Sequence, residues 1–153
     1  MRKEISIALA GTLLVCVPPS ALAQPGAVRP DLQAGHIAAN VPPAPEFDAI
    51  LRRDLEAFFV DQGIAASRVE FELLRKGPTQ SGVSYPKFYA WVRVISMTGE
   101  SQSGAVRLSA QDRVRFEVTH YVPRASIQLR PDVLDGLFPA ALVPIIVERA
   151  KRP

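Results

Sequence analysis

Cysteine is nearly missing from this chain of 153 residues, and the single one, Cys16, lies in a segment that reads as removable. A chain that loses it can form no disulfide, so its stability must come from burial. Histidine is almost as scarce. Only His36 and His120 are present, and the carboxylates show no ligand spacing beside them, so a metal site is not expected and no cofactor motif is found. Charge of one sign is scarce too, with 18 basic residues against 15 acidic. That weak field gives little steering toward nucleic acid, and no nucleic-acid partner is expected. Long apolar runs are also lacking. The two best, Ile5 to Val17 and Leu137 to Val147, fall well short of the roughly twenty residues a spanning helix needs, so no transmembrane segment is expected.

What is present begins with an export signal. Arg2 and Lys3 precede the apolar run, Pro18 and Pro19 break it, and Ser20-Ala21-Leu22-Ala23 offers small residues at the positions a signal peptidase reads. Cleavage after Ala23 would leave a periplasmic or secreted chain starting at Gln24. A lipid anchor on Cys16 is the weaker alternative, because Val15 stands where such sites carry a small residue. The mature chain of 130 residues is long enough for one core, with 16 basic against 14 acidic residues, most of the basic ones arginine.

Residues 24–45 carry five prolines among alanines and small polar residues with no sustained apolar period, which predicts an extended leader. From Glu46 to Gln62 the period is helical: Phe47, Ile50, Leu51, Leu55, Phe58 and Phe59 share a face, and Gly63 ends it. Alternation then takes over around Val69 to Leu73, Lys87 to Met97, Val106 to Ala110 and Val114 to Val118. The gaps are too short for parallel crossovers, so four antiparallel strands joined by hairpins are expected. Beyond Pro123 the pattern is helical again. Pro131 and Pro139 suit first turns, while Pro144 predicts a bend in a helix from Pro139 to Ala150.

Residues 46–153 are therefore expected to form a single α+β domain: an N-terminal amphipathic helix packed on a curled four-stranded antiparallel sheet, followed by short C-terminal helices. In element order this resembles cystatin-like folds and the cone-shaped nuclear-transport-factor-like folds. The resemblance concerns order alone and implies no activity.

Enzyme signatures fail on inspection. Gly77 to Gly82 has the glycine spacing of a phosphate loop, but Val83 replaces the required lysine. Gly99 to Ser103 lacks the closing glycine of a nucleophile elbow. His120 falls in phase with Val114, Phe116 and Val118, which puts it on the apolar strand face near a possible pocket mouth. A catalytic reading would pair it with Asp112 or Tyr121 as acid and base, but Asp112 falls in a turn at the far end of the strand, about eight residues or ~26 Å away at ~3.3 Å per residue, so a core-edge histidine is the simpler reading.

The other sheet face is the preferred binding surface. If Phe88, Ala90, Val92 and Val94 face the helix, then Tyr89, Trp91, Arg93, Arg107, Arg115 and Tyr121 share the opposite side. Arginines interleaved with tyrosine and the only tryptophan suit stacking and oxyanion contact. The expected function is a small exported envelope binding or accessory protein without catalytic activity, holding an envelope protein, a glycan or an anionic ligand there. The alternatives are a small pocket enzyme using His120 and a homodimer formed through the C-terminal helices. Whether those helices also cover the arginine-aromatic face is left open by the sequence.

Overall fold

The computed structural model describes residues 30–64, 66–82 and 84–152, so the expected export signal and the Cys16 alternative lie outside the described residues. The chain is an α+β protein. In order it forms α1 (Pro30–Asn40), α2 (Ala44–Asp61), β1 (Ala66–Leu73), β2 (Lys87–Ser96), β3 (Ser101–Gln111), β4 (Arg115–Pro123), α3 (Arg124–Leu129), a 3-10 turn (Pro131–Leu134) and α4 (Val143–Lys151). The strands make one antiparallel sheet in the order β1-β2-β3-β4.

Helix α2 starts where the sequence punctuates it. Pro43 and Pro45 flank the first turn, Glu46 meets the positive helix pole, and Gly63 at φ +77° turns the chain away. Its inward stripe of Leu51, Leu55 and Phe59 is fully buried against Val69, Val92, Val106 and Leu108. Each such side chain contributes about 1.5–3 kcal/mol of transfer free energy. At the N-terminal end, Phe47 meets Phe88 and Phe116 edge-on, with ring centroids 5.2 and 4.9 Å apart. The exposed side of α2 also reaches the sheet margins. Arg52 Nη1 donates to Val69 O on β1 at 2.7 Å, and Asp54 Oδ2 accepts from Phe116 N on β4 at 2.6 Å.

The segment expected as an extended leader contains a helix. Helix α1 is seated by its last residue: buried Asn40 accepts from Asp112 N through its side chain at 3.2 Å and from Arg113 N through its carbonyl at 2.9 Å. Those two residues, with φ of 54° and 64°, are the left-handed pair at the centre of the β3–β4 turn, which Val114 N closes by donating to Gln111 O at 3.2 Å. The helix is therefore held by a contact far away in sequence.

The opposite sheet face is covered. Tyr89, Trp91, Ala105 and Val122 form a second core with Ile127, Leu134, Phe138, Leu142, Ile146 and Ala150 from the C-terminal segment. The sheet is thus sandwiched between α2 and the C-terminal helices. Pro144 does not bend a longer helix; it occupies the first turn of α4, where its missing amide donor is harmless. Among the described residues no helix is long and apolar enough to cross a membrane.

Strand β4 carries an irregularity that sets its faces. Arg107 pairs with His120 and Leu108 with Val118, leaving Thr119 as an extra residue. Its hydroxyl donates to Arg107 O at 3.0 Å. A bulge of this kind shifts the alternation by one, so side chains beyond it exchange sides.

Candidate functional site

Along the face turned to the C-terminal helices, the sheet places Glu70, Arg93 and Ser103 in one cross-strand row. The roof stops short of this row. A cleft of about 950 Å³ opens there, its floor given by the sheet and its far wall by Arg124 and Gln128 of α3, Arg149 of α4 and Arg152 just beyond it. Trp91 and Tyr121 also line it.

Four arginines share this cleft with only two carboxylates, Glu70 and Glu72. Glu72 pairs with Arg149, whose hydrogen bond holds its carboxyl below the ordinary 4.5 against a smaller opposing effect of burial. Glu70 is engaged from the side by Arg68 at 3.0 Å. Arg152 also lies near enough to Glu72 to lower its pKa further, though without a direct ion pair, and Arg93 has no ion-pair partner among the described residues. Arg124 is aimed by its Nε, which donates to Ala150 O at 2.8 Å, and Gln128 Nε2 donates to the same carbonyl at 2.7 Å. One helix-end carbonyl thus fixes two cleft side chains, and among the described residues the outer nitrogens of Arg124 make no further hydrogen bond. Forked guanidinium donors around an open, aromatic-edged cleft are suited to carboxylate, sulfate or phosphate groups.

The six residues expected on one platform occupy three places. Arg93, Trp91 and Tyr121 line the large cleft. Tyr89 and Arg107 line a smaller cavity near the other end of the same face. Arg115 lies at neither. Its guanidinium donates to Gln111 Oε1, and Gln111 in turn donates to Glu117, a network at the β3–β4 end.

The platform is not an open surface. Tyr89 and Trp91 are only 4% and 8% exposed, because the C-terminal segment lies over them. Tyr121 does not share their face: past the Thr119 bulge its ring points to α2 and stands edge-on to Phe59 at 5.0 Å. Burial raises its hydroxyl pKa above the ordinary 10.0.

The same bulge corrects the placement of His120. It leaves the apolar face, sits opposite Arg107 and is exposed. Neither cavity described here includes His120 in its lining. Among the described residues no group of three or more His, Cys, Asp or Glu is placed to hold a metal ion.

Sequence reasoning did not single out Arg124, Gln128, Arg149 or Arg152. The signal available was the basic cluster Arg149-Lys151-Arg152, which is equally accounted for as a complement to the negative end of a C-terminal helix. No protein family, curated protein or solved structure matches the chain.

Proposed function

We propose that this chain is an exported, non-catalytic binding module of the bacterial envelope that holds an anionic group of its partner in the Arg93–Arg124–Arg152 cleft. The observation that carries the reading is the unequal charge of that cleft, four arginines against two carboxylates that are both already engaged. Export is read from residues 1–23, and the mature N-terminus would be Gln24.

Trp91 is the only tryptophan and lines the cleft, so its emission reports occupancy. A sulfated oligosaccharide and an acidic tetrapeptide are the probes. Replacing Arg93 and Arg152 together by serine should weaken the bound probe by about tenfold or more, since a hydrogen bond to a charged group contributes about 1.5–3 kcal/mol. Binding should also weaken with added salt. Equal affinity in the parent and the folded double variant, or no saturable response to either probe, would end the proposal.

A further inference from the structure

The smaller cavity carries its own chemistry, distinct from that of the large cleft. It measures about 290 Å³ and lies between the strand ends at Lys87, Tyr89 and Arg107, the 79–82 loop and the 136–139 turn. Two cations line it and no carboxylate does. Among the described residues neither Lys87 nor Arg107 has an ion-pair partner. The walls are tied down: Thr79 bridges Lys87 through two backbone hydrogen bonds of 2.7 and 2.8 Å, and Arg107 Nη1 donates to Leu137 O at 3.3 Å.

Two buried polar atoms of this lining have no partner, and their senses are opposite. Arg107 Nε is a donor without an acceptor, and Gln80 Oε1 is an acceptor without a donor. An unmade buried hydrogen bond costs about 1–3 kcal/mol, so the site favours a guest that completes both. A third polar pair belongs to residues that line the same cavity. The Thr79 and Tyr89 hydroxyls are 2.8 Å apart, and since one donates to the other, one hydroxyl hydrogen remains to offer.

We infer that this cavity is a binding site for a small oxyanion that carries its own hydroxyl donor, the chemistry shared by hydrogen phosphate and a 2-hydroxycarboxylate. The anionic oxygens meet Lys87, Arg107 and the free hydroxyl hydrogen. The ligand hydroxyl donates to Gln80 Oε1. Sulfate and acetate match the charge but carry no hydroxyl donor at neutral pH, so they complete only half of the set. The site is independent of the arginine cleft, which shares none of these residues.

Calorimetric titration of the full chain with phosphate, sulfate, glycolate and acetate tests this directly. Phosphate or glycolate should bind saturably, each about tenfold tighter than its donor-free counterpart, and whichever binds identifies the source of the chemistry. Arg107→Gln should lower affinity about tenfold or more, and Gln80→Leu should erase the preference for phosphate over sulfate while keeping general oxyanion affinity. Should Arg107→Gln fail to fold, Lys87→Gln carries the same expectation of weakened binding. The inference is overturned if none of the four ligands binds at millimolar concentration, if sulfate equals phosphate and acetate equals glycolate, or if folded variants match the parent. The Arg93/Arg152 double variant should leave these titrations unchanged, which separates failure here from failure of the cleft.

Discussion

Gly104 is the position where a single methyl group should do most damage. A Cβ there would lie 2.6 Å from Tyr121 Cε2, 3.0 Å from Pro123 Cα and closer still to Val122 O. The ring is wedged against Phe59, and the carbonyl and Cα belong to the adjoining strand. Neither obstacle is the loose end of a flexible side chain. Relief therefore requires β4 to lift from β3 near Val122 or the Tyr121 ring to leave its place. Overpacking of this kind costs about 1–3 kcal/mol. A lost ladder hydrogen bond adds about 1 kcal/mol, and the stiffer unfolded chain returns about 0.4–1 kcal/mol. Gly104→Ala should therefore destabilise the protein by about 2–3 kcal/mol. Urea unfolding should show a midpoint lower by about 1 M with an unchanged slope. Gly77→Ala is the control, since its Cβ meets nothing within 4 Å and its φ is ordinary; it should be neutral or slightly stabilising. A Gly104→Ala midpoint equal to that of the parent would refute the packing described around Tyr121.

Other consequences are equally open to measurement. Tyr121 Oη is buried without a partner, so Tyr121→Phe should match or slightly exceed the parent in stability at neutral pH. Because burial raises this pKa, the unfolded chain loses the proton first; stability is intact below pH 10 and falls as pH rises from 10.0 toward the higher folded value. Urea midpoints above pH 10 should thus decline less in Tyr121→Phe than in the parent, and parallel declines would contradict the assignment. At the β3–β4 turn, Arg113 has φ of 64°, and Arg113→Gly should raise stability by about 0.5–1 kcal/mol by relieving the left-handed backbone. Asn40→Ala should lower it by about 1–2 kcal/mol through the loss of its side-chain acceptor for Asp112 N, and thermal melts of the two variants shifting the same way would refute that account.

The α+β class was legible because periods change cleanly, from the helical stripe of Leu51, Leu55 and Phe59 to strand alternation. Helix α1 was not legible, since what holds it is Asn40 docked on a turn some seventy residues away, and no local pattern encodes that. The burial of Tyr89 and Trp91 did leave a trace. Phe88-Tyr89-Ala90-Trp91-Val92 is apolar without alternation, the pattern of a strand covered on both sides. The sides of His120 and Tyr121 left none. Thr119 is an ordinary strand residue, and only its pairing reveals it as the extra one. The large cleft was half visible: Arg93 follows from β2 phase, whereas Arg124, Arg149 and Arg152 reach it only through the way the C-terminal helices pack.

The bonds from Arg52 to Val69 O and from Asp54 to Phe116 N have a consequence for how copies of this protein meet. Any open sheet invites a neighbour's strand to zip onto its outermost strand, and continued zipping produces fibrils. Here one helix supplies a stopper at each rim, so a docking strand must first displace an internal bond at either side. A single element thus guards both rims of an open antiparallel sheet without closing it into a barrel.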